Sequence, residues 1–248
     1  MKSYLRQAFA AGVCLLLVCG CAGAGAPTTT SQATATPGLT APITTLPSTA
    51  APIVLEDAGV ESALAPGDYT SRVFKPTITF SLSPDVQWSR WDDVQEGSFN
   101  LRVGPPADQI GRVAILRGPD FVQCLNGAVV AKPNARALAD AISGAGVLKA
   151  DPPQAVTIDG HAGWSIHLPG GGTGLPQDLP LESWLAYGCI LSVGPAAFPA
   201  EALWIVLGPD IERTVIFIDV DGATISIIGT ATGLPNLASD FAATVRFP

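Results

Sequence analysis

Alternating polar and apolar residues dominate the chain from about residue 67 onward. Residues 77–82 alternate perfectly, which is typical of a half-buried strand with Ile78, Phe80 and Leu82 on its inner face. Similar strand-like runs recur along the rest of the chain, at residues 86–93, 98–103, 112–117, 154–158, 161–168, 189–193, 212–220 and 223–228. The pattern therefore predicts a domain built mainly from β-strands.

Two segments have the pattern of helices instead. Residues 134–144 begin with Asn134, a good N-cap, and end with Gly144, which suits the position just after a helix. A second helix is predicted over 235–244, and a short helical turn around 181–187.

Tight turns connect most of the predicted strands. Asp-Gly separates two alternating runs at 159–160 and again at 221–222, which is a strong hairpin signal, and the Gly/Pro-rich stretch 169–180 is predicted to be a loop. Two or three helices packed on a mostly antiparallel sheet of about eight strands form an α+β domain. We predict one such domain over residues 67–248.

The first twenty residues have the features of a secretory signal peptide. Lys2 and Arg6 precede an apolar run over residues 8–18, which is shorter than the ~20 apolar residues that cross a bilayer. Residues 1–20 are therefore predicted to be removed from the mature protein.

The sequence Val18-Cys19-Gly20-Cys21 resembles the lipobox of bacterial lipoproteins. The resemblance implies that Cys21 is diacylated, carries a palmitate-type anchor, and becomes the first residue of a protein held on the extracytoplasmic face of the cell membrane. Cys19 departs from the usual Ala, Ser or Thr. The alternative is cleavage elsewhere within residues 19–26, which would release a free secreted protein.

A segment without charge follows the signal. Residues 22–55 contain no charged residue and consist largely of Thr, Pro, Ala, Ser and Gly, so they cannot bury enough apolar surface to offset the entropy of ordering. We therefore predict a mobile tether over residues 21–66. The threonines at 28–30 and 44–45 resemble those of O-glycosylated stalks, although a plain spacer explains the composition as well.

The charge of the chain excludes some partners. Removing the signal, which contains two of the 13 basic residues and no acidic one, takes the formal net charge from −8 to −10. Nucleic acid is excluded as a partner because its binding rests on neutralised phosphates. An anionic membrane surface would also repel the domain, so the lipid on Cys21 is the predicted membrane contact.

The five cysteines have different predicted fates. Cys14 and Cys19 leave with the signal, Cys21 takes the lipid, and Cys124 and Cys189 remain as a pair in an oxidising compartment. A disulfide between these two would close a loop of about 65 residues and contribute roughly 4 kcal/mol. Two separate buried thiols are the alternative. No Cys-x-x-Cys pair or neighbouring histidine indicates a metal site.

Catalytic and cofactor motifs are not complete anywhere in the sequence. His161 and His167 share a face of one strand but lie about 20 Å apart, too far to bind one metal ion. A triad of Ser165, His167 and Asp159 lacks the Gly-x-Ser-x-Gly turn that presents a serine. The glycines at 170–174 lack the following Lys-Ser/Thr of a phosphate loop.

Two acidic stretches have some features of ligand-binding sites. Asp219-Val-Asp221-Gly222 imitates the start of a calcium loop, but strand-forming residues without acidic ligands follow it. The densest acidic cluster is Asp92, Asp93 and Glu96, next to Trp88 and Trp91. These residues could bind carbohydrate or a cation, or form the tip of a solvated hairpin beside two indoles that anchor the core. We predict no catalytic, metal-binding or cofactor-binding residue.

The order of elements resembles the PsbP-like fold found in secreted proteins and lipoproteins of high-GC Gram-positive bacteria. Three groups of residues carry this resemblance: Phe74, Pro76, Phe80, Leu82 and Trp88; then Val156, Asp159, Gly160 and Gly163; finally Phe241, Val245 and Phe247. The resemblance implies an α+β fold over residues 67–248 and a binding or assembly accessory role.

Three functions follow as hypotheses. The first is a non-enzymatic, lipid-anchored extracytoplasmic protein that binds an envelope protein or another envelope component. The second is a carrier or sensor of a lipid-like small molecule, held in a pocket between the sheet and the helix 134–143; apolar residues at 203–207 and 214–218 could line it, or simply fill a core. The third is a cell-wall-directed hydrolase around Asp92–Glu96, which requires two facing carboxyl groups ~5–10 Å apart.

Overall fold

The structure, a computed structural model, describes residues 51–105, 110–124, 130–171, 188–193, 203–208, 211–231 and 233–248. The predictions on the signal peptide, on Cys21 and on the tether up to residue 50 lie outside the described residues. The predicted helical turn at 181–187 and most of the Gly/Pro-rich loop at 169–180 also lie outside them.

The largest sheet of the described chain has eight strands. In chain order, its strands are β2 (Ala63–Leu64), β5 (Trp88–Arg90), β6 (Ser98–Val103), β7 (Gly111–Arg117), β10 (Gln154–Ile158), β11 (His161–Leu168), β14 (Arg213–Val220) and β15 (Ala223–Ala231). Across the sheet, their order is β10-β11-β14-β15-β7-β6-β5-β2, and every neighbouring pair is antiparallel. The central strands β14 and β15 are rich in β-branched residues, which suit a sheet that is covered on both faces.

Two smaller sheets accompany the large one. The first has the order β1-β3-β4, with β1 parallel to β3, and consists of β1 (Ile53–Val54), β3 (Gly67–Thr70) and β4 (Thr79–Leu82). The second has the order β13-β12-β8-β9 and consists of β8 (Phe121–Cys124), β9 (Val130–Ala131), β12 (Cys189–Val193) and β13 (Leu203–Leu207).

Two α-helices occur among the described residues, α1 (Ala135–Ser143) and α2 (Leu237–Thr244). The side chain of Asn134 accepts a hydrogen bond of 2.8 Å from the Ala137 amide, as its predicted N-cap role requires. Asp219 accepts a second bond of 2.9 Å, from the Ala135 amide. The carboxylate that imitates a calcium ligand in the sequence thus binds the N-terminus of α1.

The two faces of the large sheet carry two separate hydrophobic clusters. Consecutive residues of β7 alternate between them: Val113 and Ile115 belong to the first cluster, Ala114 and Leu116 to the second. Helix α2 and the sheet β1-β3-β4 supply residues to the first cluster, whereas α1, β8 and β12 supply residues to the second. Each face is thus covered by a helix and a small sheet.

The predicted α+β class with a mostly antiparallel sheet is confirmed. The inward residues predicted in the first alternating run are buried, with Ile78, Phe80 and Leu82 between 0% and 3% exposed. The hairpin β10–β11 has the predicted bounds and turns at Asp159-Gly160. More strands are present than the eight or so predicted, because several short ones pair only through contacts distant in sequence.

The folded domain begins earlier than the predicted boundary at Gly67. Leu55 is fully buried and Leu64 is 7% exposed, so residues 51–66, predicted as the end of the tether, belong to the domain. The guanidinium of Arg90 donates hydrogen bonds to the carbonyl oxygens of Leu55 and Glu56, at 3.4 Å and 3.2 Å. The sequence does not predict this segment because it has no alternating run of strand length, and its two buried leucines pack into a core formed largely by later strands.

The Glu56 side chain also holds this segment in place. One carboxylate oxygen accepts hydrogen bonds from the Ser71 hydroxyl and from the backbone amides of Arg72 and Val73. Burial raises the pKa of Glu56, but these hydrogen bonds together outweigh burial, so the pKa lies below its ordinary value.

A candidate ligand pocket beside helix α2

The carboxylates of the acidic cluster, Asp92, Asp93 and Glu96, have different partners in the structure. Asp92 accepts hydrogen bonds from the backbone and the side chain of Asn100, at 3.0 Å and 2.6 Å. Asp93 lies 3.3 Å from a guanidinium nitrogen of Arg90. In the ladder between β5 and β6, Arg90 lies directly opposite Leu101, the residue after Asn100. Because neighbouring residues of a strand point to opposite faces, the side chains of Arg90 and Asn100 lie on opposite faces of the sheet.

The third carboxylate and the two indoles complete this region. Glu96 lies 3.2 Å from Arg117 on strand β7. Trp88 is part of the core, whereas Trp91 is half-buried, with the Arg102 guanidinium carbon 4.2 Å and that of Arg112 5.3 Å from its ring centroid. Burial lowers the pKa of Arg112, although Asp92 acts in the opposite direction. Since each carboxylate has its own partner, the cluster gives no support to a paired-carboxylate hydrolase.

The two histidines lie near opposite ends of β11 and have separate surroundings. His161 contacts the ring of Phe247 at a centroid distance of 5.1 Å, and His167 Nε2 is 3.8 Å from Glu212 Oε1. Asp159, the third member of the imagined triad, accepts a 2.7 Å hydrogen bond from the Phe247 amide. Among the described residues, no group of three or more His, Cys, Asp or Glu side chains could hold a metal ion.

The structure brings Cys124 and Cys189 together in a disulfide, with the two sulfur atoms 1.93 Å apart. The two cysteines lie directly opposite each other on β8 and β12, and both are buried. Phe121–Cys124 was not predicted as a strand.

The pocket that the structure shows is not the one predicted beside α1. The apolar face of α1 packs into the second cluster, with Leu138 and Ile142 fully buried, so a filled core explains this helix. Of the apolar residues predicted as a lining, 203–207 form strand β13, while Val215 and Ile216 are buried in the large sheet. The pocket lies on the other face of the sheet, beside α2.

This pocket has a volume of about 420 Å³ and lies between α2, the strands β4 and β5, and the segment 233–236. That volume is within the range typical of small-molecule sites. Its apolar floor and its polar rim together consist of Ser81, Ser83, Asp85, Val86, Trp88, Gly233, Leu234, Pro235, Asn236, Leu237, Asp240, Phe241 and Thr244.

The floor of the pocket is set by the aromatic core. Trp88 is 5% exposed, and its ring centroid lies 5.9 Å from that of Phe241, which in turn lies 5.2 Å from that of Phe80. The buried Nε1 of Trp88 finds no hydrogen-bond acceptor in the described part of the chain. Buried indole N–H groups usually have a partner, and an unpaired one costs about 1–3 kcal/mol.

The rim of the pocket is polar and acidic. Asp85 and Asp240 are exposed, and Ser83 donates a hydrogen bond of 3.2 Å to the Asp85 carboxylate. The Thr244 hydroxyl donates to the Phe241 carbonyl oxygen at 2.8 Å and accepts from the Ser81 amide at 3.2 Å. None of the described residues that line the pocket is Lys, Arg or His.

The sequence contained only a partial signal for this pocket. Trp88 could be read as a core anchor, and Leu237 and Phe241 as neighbours on one helical face. Nothing in the sequence shows that this helix packs beside β4 and β5, because about 150 residues separate them. The pocket depends on that tertiary contact.

Comparison with known proteins finds one similar solved structure to report. The solution structure of cyanobacterial PsbP (CyanoP) from Synechocystis sp. PCC 6803 matches at 8% sequence identity and a TM-score of 0.35, covering 77% of this chain and 95% of that chain. No family model and no curated protein matches the chain.

Proposed function

We propose that this chain is a non-enzymatic binding protein with an accessory role at the cell envelope, anchored to the extracytoplasmic face of the membrane by a lipid on Cys21. The signal features and the lipobox-like sequence support this location. The disulfide between Cys124 and Cys189 supports it as well, because disulfides persist in oxidising compartments. Of the helices that the structure describes, none is long and apolar enough to cross a membrane.

The anchor is tested by replacing Cys21 with alanine in the full chain. We expect the wild-type protein to incorporate labelled palmitate and to partition into the detergent phase of a nonionic detergent, and the C21A protein to do neither. Cys19→Ala is the matched control, since it restores a residue usual in a lipobox and should leave the lipid in place. An unlabelled wild-type protein that stays in the aqueous phase would contradict the anchor.

The pocket beside α2 carries the binding part of the proposal. It combines an apolar floor with polar groups confined to the rim, the arrangement typical of sites that hold a small amphiphile. The protein would therefore act as a carrier or sensor of a small, largely apolar molecule.

Filling the pocket should abolish this binding. Val86 is a half-buried lining residue, so Val86→Trp places an indole where the ligand's apolar part would lie. We expect at least a tenfold loss of affinity for the neutral dye N-phenyl-naphthylamine, followed by its fluorescence. Val60→Trp is the control, because Val60 is 47% exposed and does not line the pocket.

Dye binding that is equal in both variants would place the binding surface elsewhere, and absent binding by the wild-type protein would contradict an apolar pocket. Thermal unfolding of both variants checks that each one folds. A ligand that binds only the folded state should also raise the melting temperature of the wild-type protein and not that of V86W.

A further inference from the structure

The pocket beside α2 has an apolar floor below an acidic rim. We infer that it selects a cationic amphiphile, a molecule with an apolar chain that lies on the floor and an amine at the rim. This inference rests on the proposed function and names the class of ligand that the same pocket takes.

The charge of the rim carries the first step. Asp85 and Asp240 are exposed lining residues, and neither forms an ion pair within the described part of the chain. Lys, Arg and His are absent from the described lining, so nothing there compensates the two carboxylates. An anionic head group would be repelled by both, whereas an ammonium would gain an attraction that salt screens.

The N-terminus of α2 opposes this charge only in part. Helix α2 begins at Leu237 beside the rim, and the aligned peptide dipoles place roughly half a positive charge there. Asp240, in the first turn, offsets that partial charge. With Asp85 added, the rim still carries a net negative charge.

The floor carries the second, independent step. Trp88 and Phe241 are each more than nine-tenths buried and line the pocket, together with the half-buried Val86. Covering such an apolar surface removes it from water, so the ligand combines an apolar chain with the amine.

A matched series of three probes tests both steps. N-decanoyl-ethylenediamine, N-decanoyl-ethanolamine and N-decanoylglycine share an apolar chain and an amide carbonyl, and end in an ammonium, a hydroxyl and a carboxylate. They are titrated by calorimetry into the full chain carrying Cys21→Ala, which needs no detergent. We expect the amine to bind at least about tenfold more tightly than the glycine conjugate, with the neutral probe between them, and the difference to shrink at high salt.

Variants assign the preference to particular groups. Asp85→Asn and Asp240→Asn should each weaken binding of the amine about two- to fivefold and leave the neutral probe unchanged. Asp221→Asn makes the same charge change in a turn that does not line the pocket, and should have no effect.

The outcomes separate the inference from the function on which it rests. If the neutral or the anionic probe binds as tightly as the amine, the cationic preference is overturned while the pocket stands. If the three probes bind equally to wild-type protein and to V86W, or do not bind at all, the proposed function fails and the inference fails with it.

Discussion

Replacing Cys124 and Cys189 together by alanine should lower the free energy of unfolding by about 4 kcal/mol. The disulfide joins residues 65 positions apart, so in the chain-entropy model it removes much of the freedom of the unfolded chain. Both cysteines are buried, and alanine keeps the chain apolar at both positions. Urea unfolding of the variant and of the oxidised wild-type protein measures the difference.

Reduction provides the control for this prediction. A reducing agent should destabilise the wild-type protein by a similar amount and leave the double-alanine variant unchanged. Equal stability of the oxidised wild-type protein and the variant would show that the bond contributes nothing to folding. Non-reducing peptide mapping of the mature protein checks separately that the bond forms in the cell.

Truncating Phe80 to alanine should destabilise the domain by about 3–5 kcal/mol, the cost typical of a buried Phe→Ala change. Phe80 is fully buried on β4, and its ring centroid lies 5.9 Å from that of Tyr69, 5.8 Å from that of Phe99 and 5.2 Å from that of Phe241. The change removes these contacts and leaves a cavity at the centre of the first cluster.

Two controls define this result. Val60→Ala removes an exposed apolar side chain, and should change stability by less than about 0.5 kcal/mol. Phe80→Leu keeps much of the volume and should cost clearly less than Phe80→Ala. If F80A and V60A unfold at the same urea concentration, the aromatic cluster is not the centre of the core. Because Phe241 also lines the pocket, F80A should weaken binding of the neutral dye as well.

The main sheet could be predicted because its signals are local. Strand β6 and the hairpin β10–β11 have the predicted bounds, and α1 starts after the predicted Asn134 cap. In each case a two-residue or four-residue period, a cap or a turn lies within a few positions of the element it specifies.

Short strands with distant partners could not be predicted in the same way. Strand β1 has only two residues and pairs with residues of β3 that lie sixteen positions further along the chain, while β8 pairs with β12 across the disulfide loop. Leu55 anchors the start of the domain in two ways. Its side chain is buried in the first cluster, and its carbonyl oxygen accepts a hydrogen bond from the guanidinium of Arg90, 35 positions further along the chain. Periodicity contains no information about such contacts, so the pattern alone places the start of the domain too late in the chain.

By itself, the sequence determined the α+β class, the hairpins and the buried face of the first alternating strand, because hydrophobic period and turn chemistry act over a few neighbouring residues. Only the tertiary structure decided where the domain begins and where a ligand could bind. Trp88 and Phe241 are about 150 positions apart and form one pocket floor only after α2 packs beside β4 and β5. The acidic rim is a property of the same packing, because Asp85 and Asp240 come together at one pocket from distant parts of the chain, without an ion-pair partner among the described residues.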